Sequence, residues 1–553
     1  MAAVKFVVAV AFLLRILPVI HCSSYQTASV YCKAEQCTYK LNVLDVESAT
    51  AFGVYHDTIE ESGWGILNIT AGRGSSGSDN NDIMFAAGYL EAILTYERIY
   101  QHYQNINDYF QSKFGNSTDV EKKVKSFFME QDLFMRSMIR NNVPGSAYWR
   151  HVGYILAQYD GLVKGYGDAV TDDKKLAIYA FQLLNGAGDM IDLVSAVSPR
   201  SRPDFMGMTK EEALAFIAKS GHCSALVKVL GAFEDIFMSH SSWFMYQATM
   251  RIFKHYDLNI DDPATAAQQM SFSSYPGFLE SLDDFYLLSS GLVMLQTTNN
   301  VFNTTLYDLV SPTSLLAWHR VRLANMMAHG GNEWAKLFAE FNSGTYNNQY
   351  MIIDLKQVDI GIDINDNTLW VVEQIPGLVE YADTTDILRT GYWPSYNVPF
   401  FEKVYNRSGY PDYVKKHGSD FSYQLAPRAK IFRRDQGKVA DMDSMKKIMR
   451  YNDYKEDPYS EGDSCNAICC RGDLRILYSG PFGCYDTKVA NYSMALQRTA
   501  DIINGPTLGT KLSPFEWTQQ YKVSHVGLPQ KYDFPFIQTK PMDPPQKIKV
   551  GYH

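Results

Sequence analysis

One of the eight cysteines in this 553-residue chain stands far from the others, at a position suited to a nucleophile. Cys223 follows Ser220-Gly221, where a helix is expected to end, and it precedes an apolar strand candidate at residues 224–230. There its thiol can attack the preceding carbonyl group, so that the chain breaks between His222 and Cys223. The new α-amino group, with an ordinary pKa of about 7.7 to 8, then serves as the general base for the thiol. A buried structural cysteine is the alternative that this segment leaves open.

Other motifs with known chemistry are absent from the sequence or weak. The chain has no His-Glu-x-x-His, no matched pair of Cys-x2-Cys motifs, no Gly-x-Ser-x-Gly and no Walker loop. Residues 72–77 match a dinucleotide glycine pattern, but a lone match is weak, and an ordinary turn is the simpler interpretation. Arg471-Gly-Asp473 suggests adhesion, although it lies among cysteines that are expected to form bridges. We therefore expect neither a metal nor a cofactor.

The composition indicates a folded globular protein that does not bind nucleic acid. Hydrophobic residues make up 46% of the chain and charged residues 20%, which supplies a core and excludes a disordered or coiled-coil chain. With 51 basic and 60 acidic residues the formal charge is -9, and no basic run is long enough to follow a phosphate backbone. No linker or repeat of fixed period divides the chain, so one compact unit is expected.

Residues 1–22 predict a secretory signal peptide. Lys5 is followed by an apolar run, and Arg15 interrupts this run before it reaches the ~20 residues that a membrane anchor needs. Five glycosylation sequons agree with a translocated protein, and they begin at Asn68, Asn116, Asn303, Asn406 and Asn491. We expect a glycoprotein with no transmembrane segment once the signal is removed. An uncleaved anchor is the alternative.

The other cysteines fall into two groups that suit an oxidising compartment. Cys32 and Cys37 are close enough to bridge one N-terminal turn, while Cys22 is expected to leave with the signal peptide or to border it. Four late cysteines permit three connectivities, and spacing alone does not choose among them; they are Cys465, Cys469, Cys470 and Cys484. A bridge between the two vicinal cysteines would be strained, which leaves two arrangements open.

Mixed helices and strands must position Cys223. Helical spacing predicts helices over residues 83–100, 174–197 and 209–219, the last with a capping box formed by Thr209 and Glu212. Strand candidates are frequent, and they lie at residues 51–55, 64–70, 224–230, 236–238, 287–296, 350–354, 369–373 and 429–433. Such a mixture implies layers of sheet and helix.

Short blocks along most of the chain resemble the phospholipase B-like family, which includes the lamina ancestor protein of insects. The first blocks surround the cysteine, and they are Gly221-His-Cys-Ser-Ala-Leu-Val-Lys228, Met238-Ser-His240-Ser-Ser-Trp243 and Arg251-Ile-Phe-Lys254. Later blocks include Asn342-Ser-Gly-Thr-Tyr-Asn347, Glu373-Gln-Ile-Pro-Gly377, Ser395-Tyr-Asn397, Pro427-Arg-Ala-Lys-Ile-Phe432 and Met449-Arg-Tyr-Asn-Asp453. The resemblance covers nearly the whole mature chain, and these blocks are specific in combination.

This resemblance implies an α+β fold, namely the four-layer αββα sandwich of N-terminal nucleophile hydrolases. It also implies that cleavage after His222 exposes Cys223 as the nucleophile. Residues 23–222, which include an excised linker before Cys223, and residues 223–553 would stay associated as two fragments. The family further implies glycosylation, a lysosomal or secreted location, and the pairing of Cys465 with Cys470 and of Cys469 with Cys484.

By the same resemblance, three more residues belong to the site. His240 takes a strand position facing Cys223, and their spacing fits a strand, a tight turn and a return strand. Asn397 takes an oxyanion-binding position, and Arg428 takes a charged position in the pocket. The alternatives are a core histidine, a turn-forming asparagine and an arginine in a surface salt bridge. The chain reads His240-Ser-Ser-Trp243 where family members often read His-Asn-Thr-Trp.

The leading hypothesis is a self-processed hydrolase, lysosomal or secreted, that acts through a thioester on Cys223. Its substrate would be a lipid or an acyl amide, cleaved at an ester or amide bond. The alternative is a glycoprotein with a binding or structural role, in which the cleavage chemistry serves maturation only. An adhesion protein is a third class, but it explains nothing around Cys223.

Overall fold

The computed structural model describes residues 24–74, 78–115, 117–143, 145–219, 221–282 and 285–542. The predicted signal peptide at residues 1–22 and the sequon residue Asn116 lie outside these ranges. Within them, we find no helix with the length and apolar content needed to cross a bilayer.

The described residues include fifteen α-helices, some of a single turn. They are α1 (Ile59–Ser62), α2 (Asn80–Phe114), α3 (Thr118–Asn142), α4 (Ala147–Ala169), α5 (Ile178–Asn185), α6 (Met190–Val197), α7 (Lys210–Lys219), α8 (Ala317–Met327), α9 (Gly331–Ala339), α10 (Thr385–Leu388), α11 (Glu402–Arg407), α12 (Tyr410–His417), α13 (Pro427–Asp435), α14 (Met442–Met449) and α15 (Tyr492–Leu496).

The same residues include twenty-two strands. They are β1 (Ser24–Lys33), β2 (Gln36–Leu41), β3 (Ala51–Thr58), β4 (Trp64–Ala71), β5 (His222–Val229), β6 (Ile236–Met245), β7 (Arg251–Leu258), β8 (Gln269–Ser274), β9 (Phe285–Leu288), β10 (Leu292–Thr298), β11 (Asn348–Asp354), β12 (Val358–Asp359), β13 (Asp363–Ile364), β14 (Leu369–Ile375), β15 (Leu378–Asp383), β16 (Tyr392–Ser395), β17 (Phe482–Cys484), β18 (Asp486–Asn491), β19 (Ala500–Asn504), β20 (Phe515–Glu516), β21 (Lys531–Tyr532) and β22 (Ile537–Thr539).

Most strands belong to two large sheets. The first has eleven strands in the order β15-β14-β11-β10-β9-β8-β7-β4-β3-β1-β2. The second has seven, in the order β16-β5-β6-β18-β19-β22, with β17 also paired to β6. Strands β4 and β7 of the larger sheet run parallel, over residues 64–71 and 251–258. Extensive helices beside two large, mainly antiparallel sheets confirm an α+β protein.

Apolar clusters hold these elements together. The largest joins the eleven-stranded sheet to helices α2, α4, α8 and α9. A second takes side chains from both large sheets, including Ala225 and Met238 from one and Phe253 and Leu295 from the other, so it lies between the sheets. A third joins the seven-stranded sheet to α13 and α14. Burying such apolar surface is the main stabilising contribution to the fold.

Residues 174–197 contain two short helices, α5 and α6, so the prediction of one long helix is wrong. Gly186 and Gly188 lie between them, and a Cβ atom at Gly188 would come within 2.5 Å of the Tyr346 ring. Since glycine also weakens a helix by about 1 kcal/mol relative to alanine, this segment favours a break. The capping box predicted for the next helix is confirmed, because the amide of Glu212 donates to Thr209 Oγ1 at 3.2 Å.

Two strand predictions also need correction. Residues 287–296 lie in two antiparallel strands, β9 and β10, which turn at Gly291 with a φ of 81°. Glycine adopts this left-handed conformation readily. Residues 429–433 lie in helix α13 instead of a strand. Pro427 is in the first turn of this helix, where proline is favoured.

Candidate active site

A β-hairpin places Cys223 against the large sheet. Strands β5 and β6 pair antiparallel, with Cys223 opposite Ser242 and Ala225 opposite His240. Residues directly opposite each other project from the same face of a sheet, and Ala225 packs between the two sheets. Cys223, Ser242 and His240 therefore face the eleven-stranded sheet. This confirms the predicted strand, turn and return strand.

The thiol of Cys223 borders a small cavity between the sheets. Cys223 is buried, and the cavity volume of about 20 Å³ admits about one water molecule. The cavity is lined by both sheets and by the segment before the hairpin, through residues that include Gly221, Ser242, Tyr275 and Tyr485. The uncut chain therefore has no room for a substrate at the thiol.

Two side chains from distant segments hold the main chain of Cys223. The backbone N–H of Cys223 donates to Asn397 Oδ1 at 3.2 Å, and Arg428 donates to the carbonyl oxygen of Cys223 at 2.5 Å. Arg428 also donates to Asn397 Oδ1 at 2.8 Å. The amide nitrogen of Asn397 donates to the carbonyl oxygen of Thr298 at 2.5 Å. The structure thus brings Asn397 and Arg428 together at the amino end of β5.

Arg428 is fixed in the first turn of α13. Its guanidinium lies over the ring of Trp243, at 4.5 Å from the ring centroid, and it donates to Ser224 Oγ at 3.2 Å. Burial lowers the pKa of Arg428 to about 9. The group therefore keeps its positive charge at acidic and neutral pH.

His240 lies beside a buried lysine of the neighbouring strand β18. Lys488 Nζ contacts His240 Nδ1 at 3.1 Å, donates to Ser242 Oγ at 2.6 Å, and pairs with Asp486 Oδ1 at 2.8 Å. An ammonium group only donates hydrogen bonds, so His240 Nδ1 accepts and the ring proton is assigned to Nε2. His240 is thereby held as a neutral ring.

Asp486 links Lys488 and His240 to the larger sheet. It forms an ion pair with Arg251 at 3.2 Å, and the side chains of both residues are fully buried. The guanidinium of Arg251 lies over the ring of Tyr275, at 4.1 Å, and contacts the hydroxyl of Tyr485 at 3.5 Å. The hydroxyls of Tyr275 and Tyr485 also contact each other at the cavity.

The residue before Cys223 is buried as well. Burial, and then the charge of Arg428, hold the pKa of His222 well below its usual value. Its side chain is therefore neutral, and the peptide bond between His222 and Cys223 lies in an enclosed site.

Comparison with known proteins relates this chain to a family. A family model described as Phospholipase B matches residues 51–539. Phospholipase B-like 1 from Bos taurus is 50% identical over 530 residues, which cover 95% of this chain and 94% of the relative. Phospholipase-B 81 from Drysdalia coronoides is 50% identical over 517 residues, with 93% of each chain covered. Phospholipase B-like protein D from Dictyostelium discoideum is 36% identical over 504 residues, with 89% and 87% covered.

The chain belongs to the phospholipase B family. The names of its relatives support a hydrolase, and the matches confirm the family that the sequence blocks predict. The matched range includes Cys223, His240, Asn397 and Arg428.

Sequence reasoning missed two polar residues of this candidate site. Lys488 and Asp486 lie more than 240 positions after the hairpin that they contact, so no local pattern joins them to it. One signal was present in their own strand. Two opposite charges two positions apart in a strand share one face, so they can pair there when that face is buried.

The described part of the chain contains three disulfides. They join Cys32 to Cys37, Cys465 to Cys470 and Cys469 to Cys484, which are the predicted pairs. Cys223 lies outside these bridges. The neighbouring Arg471-Gly-Asp473 tripeptide does not suit adhesion. The side chain of Arg471 is 1% exposed and pairs with Asp473 at 2.7 Å.

The glycosylation sites stay predictions. Asn406 is exposed, whereas three other sequon asparagines are partly buried, namely Asn68, Asn303 and Asn491.

Proposed function

We propose that this member of the phospholipase B family is a self-processed hydrolase. It cleaves an ester or amide bond of a lipid-like substrate through a thioester on Cys223. One observation carries the proposal: Asn397 and Arg428 converge on the backbone N–H and carbonyl groups of Cys223. The buried N–H and C=O groups of any residue need partners, but here both partners are polar side chains from distant segments, one of them a charged guanidinium. Both suit a residue that becomes a chain terminus and a nucleophile.

The proposed fold is the four-layer αββα sandwich of N-terminal nucleophile hydrolases. Support comes from the three apolar clusters, which join helices to the first sheet, the first sheet to the second, and the second sheet to further helices. In such an arrangement, Cys223 at the start of β5 lies between the two sheets.

Maturation begins with the attack of Cys223 Sγ on the carbonyl carbon of His222. A C–S bond forms, the C–N bond between the two residues breaks, and the thiol proton passes to the released nitrogen. Water then hydrolyses the thioester, which leaves a carboxylate on His222 and restores the thiol. The neutral side chain of His222 suits this step, because it adds no charge beside the carbonyl group.

Helix α7 directly precedes the hairpin, and its removal would open the site. Leu214, Ile217 and Ala218 of α7 line a second cavity together with Asn397 and Arg428. The excised linker proposed for residues before Cys223 would include this helix. Its loss would join the second cavity to the thiol and provide an apolar wall for an acyl chain.

The mature site then acts on a substrate. The α-amino group of Cys223 takes the thiol proton, and the thiolate attacks the acyl carbon of the substrate. The leaving alcohol or amine departs with that proton, and water releases the acyl group as a carboxylate. Asn397 Oδ1 holds the α-amino group, while one N–H of its amide donates to the oxyanion. His240 and Arg428 orient the substrate.

Intact-mass analysis of the purified protein and its Cys223 variants tests the proposal. The parent should give two associated fragments, one of which begins at Cys223. Cys223→Ala should stay a single chain. Cys223→Ser is the matched control, because it keeps a nucleophile of similar size, and it should be cut slowly. A cut Cys223→Ala chain with a new terminus at position 223 would contradict self-processing.

A panel of acyl substrates at acidic pH separates hydrolysis from maturation alone. Parent protein should release a fatty acid or acyl product that Cys223→Ala does not. If the two fragments form but no substrate is cleaved, the alternative of a binding or structural glycoprotein is favoured. The proposed location, lysosomal or secreted, is checked by glycosidase treatment and by fractionation of cells that express the full chain.

A further inference from the structure

Ser242 lies between the buried ammonium group of Lys488 and the thiol of Cys223. Lys488 Nζ donates to Ser242 Oγ at 2.6 Å. On the other side, Ser242 is the cross-strand partner of Cys223, and both residues line the same cavity. Lys488 itself is fully buried behind them.

The backbone geometry brings these two side chains close together. The N–H of Cys223 donates to Asn397 Oδ1, and the N–H of Ser242 donates to Asp486 Oδ1 at 3.0 Å. Both N–H groups therefore point away from the partner strand, so Cys223 and Ser242 form a non-hydrogen-bonded pair. Antiparallel pairs of this kind have Cα atoms about 4.5 Å apart, closer than hydrogen-bonded pairs.

The donors and acceptors around Ser242 then indicate the direction of its hydroxyl group. Lys488 only donates, so Ser242 Oγ accepts from it and keeps its own hydrogen to donate. His240 Nδ1 lies farther from Ser242 Oγ, at 3.5 Å, and already accepts from Lys488. The thiol of Cys223 itself donates to Gln296 Oε1 at 3.9 Å, so its sulfur keeps lone pairs that can accept a hydrogen bond from the cavity side.

We propose that Ser242 is a further catalytic residue, whose hydroxyl donates a hydrogen bond to the sulfur of Cys223. The ammonium group of Lys488 polarises this hydroxyl and so strengthens its hydrogen bond to the sulfur. The inference rests on the proposed role of Cys223 as nucleophile. Lys488 is a positioning residue that acts through Ser242. A donor at the sulfur favours the thiolate, which is the nucleophilic form.

The charged and titratable groups around the thiol agree with this role. They are His222 on β5, His240 on β6, Arg251 on β7, Asp486 and Lys488 on β18 and Arg428 on α13, together with Tyr275, Tyr346 and Tyr485 at the cavity. This group contains three cations and one carboxylate. The excess positive charge favours an anion at the sulfur. Through the hydroxyl of Ser242, the charge of Lys488 acts on that anion.

Titration of the thiol tests the proposal directly. The far-ultraviolet absorbance of the thiolate is followed against pH, and the same curve for Cys223→Ala in each background is subtracted. Ser242→Ala should raise the apparent pKa of the thiol by about one to two units, since it removes a hydrogen bond to a charged group. Ser242→Thr and Ser242→Val form a matched pair of similar shape. The Thr variant should titrate like the parent and the Val variant like Ser242→Ala.

Ser239→Ala is the control for loss of a buried hydroxyl on the same strand. Ser239 Oγ donates to the carbonyl oxygen of Leu226 at 3.1 Å, and the residue does not line the cavity. Its thiol titration should match the parent. Equal titration of the Thr and Val variants would overturn the role of Ser242, and so would a Ser239→Ala shift as large as that of Ser242→Ala. Because the absorbance does not require cleavage, a chain that stays single refutes self-processing while the titration still decides the role of Ser242.

Discussion

Asn397 meets Cys223 with its amide oxygen, and this contact extends the role expected from resemblance. The expected role was a donor to the oxyanion. In the uncut chain, the oxygen accepts from the N–H of Cys223, while the nitrogen donates to Thr298. After the proposed cleavage, the same oxygen would be placed to accept from the new α-amino group. One amide can therefore hold the general base and also supply a donor.

Replacing Asn397 should slow turnover strongly. Asn397 has a φ of 69°, so alanine loses the amide and also adds left-handed strain. Asn397→Gly loses the amide without that strain. Both variants should turn over an identified acyl substrate about 100 to 1000 times more slowly than the parent, as expected for loss of an oxyanion donor. Equal activity of Asn397→Gly and the parent, measured as kcat on that substrate, would refute the role.

Sequence reasoning singled out Cys223 and its neighbour in the hairpin. Cys223 stood out by its isolation, and the spacing to His240 fits the observed strand pair. Asn397 and Arg428 needed the family resemblance, because they approach from segments 174 and 205 positions away. Lys488 was missed, since periodicity identifies a buried face but does not identify which distant strand packs beside it.

At the scale of elements, single glycine and proline residues decided where predictions from apolar runs were wrong. The run at residues 287–296 became two strands because Gly291 permits a turn that the run itself conceals. Residues 429–433 became part of helix α13 because Pro427 starts a helix well, although their apolar content also suits a strand. Local propensity leaves such choices open, and packing on the neighbouring sheet decides them.

Helix α2 provides a test of pH dependence. Its residue His102 is buried against Tyr275 and Phe278, with ring centroids 5.3 and 5.4 Å apart. Burial, and then the charge of Arg251, lower the pKa of His102 to about 3. The unfolded chain therefore takes up a proton below its ordinary pKa, while the folded chain does not. This contribution to stability is present above about pH 6.5 and is lost as pH falls.

His102→Phe should remove that loss, because phenylalanine keeps the ring and does not titrate. The free energy of unfolding in urea is measured for both proteins. The difference, variant minus parent, should increase by about 2 kcal/mol when the pH is lowered from about 7.5 to about 5. His329→Gln changes an exposed histidine and is the control. A stability difference between His102→Phe and the parent that does not change with pH would contradict the prediction.

At the scale of the whole molecule, a cut after His222 would divide the larger sheet. Strands β1 to β4 would belong to one fragment, and the other seven strands to the second. Strands β4 and β7 pair across that division along residues 64–71 and 251–258. A buried ion pair between Glu91 and Lys254, at 2.7 Å, crosses it as well.

The two fragments should therefore remain together after the cut. They should elute as one species from gel filtration under native conditions. Each of the three disulfides lies within one fragment, so denaturing electrophoresis should separate the fragments even without a reducing agent. Separation of the fragments under native conditions, or their covalent linkage in denaturant, would contradict this arrangement.

The long reach of Arg428 to Cys223 has a consequence for when the chain can be cut. The contact spans 205 residues, which take about 10 to 40 s to synthesise at the usual rates of translation. If this contact is needed for the cut, a nascent chain stays whole until its second half has been made and has folded against the first. The proportion of cut protein in a cell would then report the yield of correct folding, and a mutation anywhere in the core could be scored by that proportion.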